Sequence, residues 1–258
     1  MSSSYRFGMI VPSSNVTMET EIPAMIRSRP DVYREDFTFH GSRMRMQEVT
    51  PEELAQMDAE SVDCAVELSD ARCDVISYAC LIGIMAQEPG YHTESEQKLR
   101  EAAADNGGQA PVVTSAGALV RAVEAIEADR IALIAPYMQN LTDTVIEYFE
   151  AEGVEVVDHV SLECPDNLEV AQLDPGNLVS LATDLETDDA DALVLSACVQ
   201  MPSLQSVQIV EDRLDVPVLS ASIATVWDSL LALGLNPRVP DCGTLLSGDV
   251  VNSPRVDQ

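Results

Sequence analysis

Short apolar runs alternate with amphipathic stretches along the whole chain. The runs predict β-strands over 5–12, 35–41, 74–80, 111–115, 130–136, 154–160, 191–198 and 217–221. The stretches between them, with apolar positions at helical spacing, predict helices over 51–70, 93–105, 116–128, 140–152, 175–186, 203–214 and 222–233. Strands that are apolar along their length need cover on both faces. The pattern therefore predicts parallel sheets flanked by helices, with right-handed crossovers. Local signals mark helix starts: Thr50 precedes Pro51, with Glu53 at the capping-box position, and Asp174-Pro175 repeats the device.

The pattern is used twice. Arg6-Phe7-Gly8-Met9-Ile10-Val11-Pro12 matches Arg130-Ile131-Ala132-Leu133-Ile134-Ala135-Pro136. Later in each half comes a buried strand ending in Ala-Cys: Val75-Ile76-Ser77-Tyr78-Ala79-Cys80 and Ala192-Leu193-Val194-Leu195-Ser196-Ala197-Cys198. The expected fold is α/β, with two similar doubly wound parallel-sheet domains related by a pseudo-twofold duplication and the active site in the cleft between them. The expected division is 1–114 plus 221–258 on the Cys80 side and 115–220 on the Cys198 side. Helix 222–233 and the tail are assigned to the first domain on economy alone, since a chain passing twice between domains makes a hinge.

Composition narrows the partners. The 258 residues carry 44 acidic against 14 basic side chains, a formal net charge of −30, and Lys98 is the only lysine. The acids are spread along the chain, which reads as adaptation to a salt-rich cytoplasm, where screening is short-ranged. Such a surface excludes nucleic acid, which demands a basic stripe. No apolar run is long enough to cross a membrane. Met1-Ser2-Ser3-Ser4-Tyr5-Arg6 leads straight into a strand and does not read as a secretory leader. The six cysteines are expected to be reduced thiols, and no Cys-x-x-Cys or zinc spacing is present. No cofactor or metal is expected, and no phosphate-binding glycine loop occurs.

Ligands of parallel α/β sheets bind at the carboxyl ends of the strands. Cys80 and Cys198 stand there, as do Pro12-Ser13-Ser14-Asn15, Pro136-Tyr137 and, after strand 154–160, Asn167. A thiol at a helix amino end sees unpaired N–H groups that favour thiolate and can also bind a carboxylate. The natural donors are Leu81-Ile82-Gly83 and Val199-Gln200-Met201. A single buried cysteine is most often packing, but two at equivalent places in a duplicated unit are not. Cys64, Cys73, Cys164 and Cys242 have no such pairing and read as packing or surface. For Asn15, a helix cap and a ligand contact are both open. Tyr137 reads equally as a rim aromatic, Asn167 as an ordinary loop residue and His92 as a cap neighbour. Arg43 and Arg45 are placed at the surface.

These residues resemble the aspartate/glutamate racemase superfamily and, within it, the maleate cis-trans isomerases. The matching stretches are Val11-Pro12-Ser13-Ser14-Asn15 with Glu19, Tyr78-Ala79-Cys80-Leu81-Ile82, Gly90-Tyr91-His92 and Thr114-Ser115-Ala116-Gly117-Ala118-Leu119. Asp166-Asn167-Leu168 and Ser196-Ala197-Cys198-Val199-Gln200-Met201-Pro202-Ser203 complete the series. The resemblance implies Cys80 as nucleophile and Cys198 as the opposing acid and base. It also implies that Asn15, Tyr137 and Asn167 hold the carboxylates of a small dicarboxylate; Leu81, Ile82, Val199 and Gln200, in the donor loops, are expected to bind the substrate as well. A homodimer is implied as well. Amino-acid racemases of the superfamily carry Asn-Thr and Thr-His after the two cysteines, where this chain has Leu81-Ile82 and Val199-Gln200. Arylmalonate decarboxylases lack the first cysteine. A racemase or decarboxylase of a related small acid, or a non-catalytic small-acid binder, are the competing readings.

Overall fold

A computed structural model describes residues 3–46 and 49–251. In the first half, β1 (Ser3–Pro12), α1 (Met18–Arg27), β2 (Glu35–Met44), α2 (Pro51–Asp70), β3 (Val75–Tyr78), α3 (Leu81–Met85), α4 (Tyr91–Asp105), β4 (Val112–Thr114) and α5 (Ser115–Ala125) follow in order. The second half runs β5 (Arg130–Ala135), α6 (Gln139–Ala151), β6 (Glu155–Ser161), α7 (Asn167–Val170), α8 (Gly176–Asp184), β7 (Ala192–Ser196), α9 (Leu204–Leu214), β8 (Val218–Ser220) and α10 (Ala221–Ala232). All eight expected strands are present, and every adjacent pair is parallel.

The two halves form separate four-stranded sheets of the same order, β2-β1-β3-β4 and β6-β5-β7-β8. The central strands β3 and β7 are buried at every residue, as their unbroken apolar runs require. The edge strands β2 and β6 are half-exposed, and β2 alternates along much of its length. Helix starts follow the sequence signals. Thr50 Oγ1 accepts from the Glu53 N–H at 3.3 Å, and Asp174 Oδ1 accepts from the Gly176 N–H at 2.8 Å. Three helices lie outside the spans predicted from the sequence, although the reading of Asn15 as a cap and of Cys80 at a helix amino end anticipated the starts of two. α1 holds Pro23 inside it, which blurs the helical pattern, and α3 and α7 span only five and four residues.

Helix α10 is buried from Ala221 to Leu230 and lies against α5, α1 and β3 as well as β8. A buried ionic group ties this contact: Arg121 on α5 donates to Asp228 on α10 at 2.7 and 3.0 Å and to Glu96 on α4 at 2.6 Å. The Cys80 side of the molecule thus receives α10 from the strand that closes the other sheet. Residues 1–2, 47–48 and 252–258 of the expected first domain lie outside the described residues.

Candidate active site

The parallel order within each sheet brings four loop ends together. The loop after β1, Ser13–Thr17, is braced from below. Ser13 N–H donates to the Met44 carbonyl at 2.6 Å, Ser13 Oγ meets the Met46 N–H at 3.0 Å, and Asn15 N–H turns back to the Pro12 carbonyl at 2.8 Å. Arg43, on β2, donates to the carbonyls of Ser13 and Asn15, each at 3.0 Å, and pairs with Glu19. Its guanidinium is therefore part of the support of this loop, although Arg43, like Arg45, is exposed as expected.

Asn15 proves to be a cap. Its Oδ1 accepts from the N–H groups of Thr17 at 3.1 Å and Met18 at 3.0 Å, at the start of α1. The same residue is buried and lines a cavity, so both readings of the sequence coexist. Because the cap fixes the amide's orientation, Nδ2 is the atom left to donate into the cavity.

That cavity is lined by Asn15, Cys80, Leu81, Ile82, Tyr137, Asn167, Cys198, Val199 and Gln200, with Pro12, Met46, Val49 and Ala79 completing the wall. Every sequence-nominated site residue is thus in one enclosure, with the two thiols in a common wall. A wider, open vestibule of about 990 Å³ shares Met46, Val49, Tyr137 and Asn167 with it and opens between Thr50 and Glu53 on one side and residues 164–168 on the other. His92 lies elsewhere, in a buried pair with Tyr148, whose hydroxyl is 2.7 Å from Nδ1.

The two thiols differ in support. Cys80 precedes α3 and receives the Gly83 N–H; burial nevertheless pushes its pKa up to about 12. Cys198 receives the Tyr137 hydroxyl and the N–H groups of Gln200, at 3.4 Å, and Met201, against a burial that raises it too. Tyr137 in turn is held well above its usual range by burial and by Cys198. The expectation that helix amino ends would stabilise thiolate is corrected here, since burial raises both thiols. α3 is too short to carry much dipole, and loss of solvent outweighs the donors. Leu81, Ile82 and Val199 N–H groups find no acceptor among the described residues, and these remain for an anion.

Cross-cleft contacts unforeseen in the sequence complete the site. Asn167 Nδ2 donates to Ser14 Oγ at 2.6 Å. Gln200 Nε2 donates to the carbonyls of Ser14 at 2.8 Å and Asn167 at 3.0 Å, while its Oε1 accepts from Val16 N–H at 3.0 Å. Glu21, buried on α1, accepts from the N–H groups of Ser203 and Leu204 at the start of α9 and from Ser222 Oγ on α10. Burial raises its pKa despite these three donors. A signal for Glu21 was present: an acid on the apolar face of α1, between Met18, Ile22 and Met25.

Two four-stranded parallel sheets of equal topology, with a thiol from each facing one small polar-ended cavity, define the two-cysteine, racemase-like class of α/β enzymes. A profile of the arylmalonate decarboxylase family matches residues 7–246, and the chain belongs to this family, on its maleate isomerase side. The maleate isomerase of Geobacillus stearothermophilus is 58% identical over 249 residues, 96% of this chain and 99% of that one. The crystal structure of a cysteine-to-alanine variant of Pseudomonas putida maleate isomerase with maleate superposes with a TM-score of 0.95 at 52% identity, covering 97% of this chain and all of the other. A cysteine-to-serine mutant of the Nocardia farcinica maleate cis-trans isomerase, solved with a covalently bound succinylcysteine intermediate, gives 0.92 at 44% identity, covering 96% of this chain and 100% of that one.

Proposed function

We propose that this chain isomerises maleate to fumarate, with Cys80 as nucleophile and Cys198 as the opposing acid and base. The observation that carries the reading is the single buried cavity in which both thiols meet three amide or phenol side chains and three unpaired N–H groups. Rotation about a carbon–carbon double bond requires that bond to become single. The Cys80 thiolate adds to one alkene carbon, forming a C–S bond, and the electron pair moves to the neighbouring carbon, which takes the proton of the Cys198 thiol. The product is a succinyl adduct on Cys80. The former double bond, now single, rotates, the Cys198 thiolate removes a proton from the same carbon, and the C–S bond breaks to release fumarate, which returns Cys198 to the thiol and Cys80 to the thiolate. The balance closes with no redox partner, and no cofactor is assigned.

Asn15 Nδ2, Tyr137 and Asn167 are assigned to the substrate carboxylates, together with the free N–H groups of Leu81, Ile82 and Val199. Tyr137 also backs Cys198: its one O–H turns to the substrate while Cys198 is a thiol, whose S–H can donate to the phenol oxygen, and to the sulfur when Cys198 is a thiolate. The succinylcysteine seen in the Nocardia farcinica relative is the adduct this chemistry requires. Incubation with maleate in molar potassium chloride, followed by proton NMR, tests the reading. Fumarate should appear, and a Cys80→Ala chain should make none. A folded wild-type chain that leaves maleate unchanged would contradict it.

The wider assignments are proposed with it. The chain divides into 1–114 plus 221–258 and 115–220, which is favoured by the packing of α10 on α1 and β3. It works as a homodimer in a salt-rich cytoplasm, a setting consistent with the charge of −30 and with six free thiols.

A further inference from the structure

We propose that Gln200 is a positioning residue, whose side-chain amide sets the separation of the two half-sites without itself touching substrate. The proposal rests on the isomerase reading and deepens it. Gln200 stands two residues after Cys198 and is buried. Its amide has two N–H bonds and both are used, on the Ser14 and Asn167 carbonyls at 2.8 and 3.0 Å. Its Oε1 accepts the Val16 N–H at 3.0 Å, and its own carbonyl accepts Thr17 Oγ1 at 2.7 Å. Its N–H faces Cys198 Sγ at 3.4 Å.

No donor therefore remains for a carboxylate. What the side chain does hold is the geometry. Ser14 and Val16 flank Asn15, so two bonds fix the Asn15 loop on one side of the cleft. A third fixes Asn167, and the backbone N–H fixes Cys198. All three side-chain partners are main-chain groups, which cannot swing to a new rotamer. A neutral amide is also the side chain that fits: it offers two donors and an acceptor in one plane and adds no charge beside a dianionic substrate. Glutamate would turn one carboxylate oxygen toward two carbonyls. Methionine would fill the space and make none of the bonds.

The test compares Gln200→Glu and Gln200→Met with the wild type for melting temperature, kcat and KM for maleate over a range of pH. A displacement of about 1 Å at reacting groups costs about 100-fold in rate. We expect kcat to fall by about that factor in both variants, with KM changed only a few-fold. Relative to wild type at the same pH, Gln200→Glu should recover on acidification, because the protonated acid regains one donor. Gln200→Met should not recover. Retained kcat in a folded Gln200→Met chain overturns the proposal. So does a loss confined to KM, which would make Gln200 a substrate ligand, or failure of both variants to fold, which would make its role structural. Absence of turnover in the wild type would instead overturn the isomerase reading, and the two failures are thereby distinguished.

Discussion

Asn15 shows how one side chain can serve the backbone and the ligand at once. Its Oδ1 caps α1 and leaves Nδ2 for the cavity, so the two duties separate by mutation. In Asn15→Asp the cap acceptor survives but the donor is lost, and the new charge faces a carboxylate. kcat/KM should fall by at least about thirtyfold, corresponding to about 2 kcal/mol for a hydrogen bond to a charged group, with little change in melting temperature. Asn15→Ala removes both and should also lose about 1 kcal/mol of stability. Equal destabilisation by the two variants, read by thermal melts, would contradict the cap. The thiols make a second prediction at this scale. Burial pushes the Cys80 pKa up to about 12, which favours the thiol at neutral pH. For an acid with a raised pKa the reactive, deprotonated fraction grows about tenfold per pH unit below that value. kcat/KM should therefore rise with pH through the neutral and mildly alkaline range while Cys198 keeps its proton. A flat profile there would show that substrate-free Cys80 is already ionised.

The elements divide by how much of their environment the local sequence records. β3 and β7 were legible because strands buried on both faces write continuous apolar runs, and their duplication pointed to the paired thiols. The full α2, from Pro51 to Asp70, was legible through its cap. α1 was not, because Pro23 and the acids Glu19 and Glu21 interrupt its apolar face. α3 was hidden by its length, yet it sets the position of the nucleophile. A Cβ on Gly83 would stand 2.6 Å from Met57 Cε, 3.1 Å from Cys80 Sγ and 3.3 Å from the Tyr78 hydroxyl, so it would push the flexible end of Met57 aside and crowd the Cys80 sulfur. Gly83→Ala should cut the rate of isomerisation about tenfold or more through displaced sulfur, with a loss of stability of about 1–3 kcal/mol from overpacking. Steady-state kinetics beside a denaturant melt check it, and wild-type kinetics with full stability would refute the close approach. The Gln200 bonds were beyond sequence reading altogether, since their carbonyl partners lie 186 and 33 residues away in loops with no pattern of their own.

Across the whole molecule, charge and duplication meet. The 44 acids far outnumber the 14 bases, so most acidic groups have no cationic partner and repel one another through solvent. Raising potassium chloride from about 0.1 M to about 1 M shortens the screening length from about 10 Å to about 3 Å. The melting temperature should climb over that range, and a fall would contradict the salt-adapted reading. Both thiols, Asn15 and Tyr137 are buried, and the anion donors proposed for the site are backbone N–H groups and amides, which suits a surface so poor in cations. The central claim is that two thiols, one from each half, act in turn on one substrate. The most direct measurement is the intact mass of a Cys198→Ser chain mixed with maleate, followed by peptide mapping. We expect a gain equal to one maleic acid, carried by the peptide that contains Cys80, and its absence in a Cys80→Ala, Cys198→Ser chain. An adduct on any other residue, or none in a folded chain under conditions where the wild type makes fumarate, would contradict the mechanism.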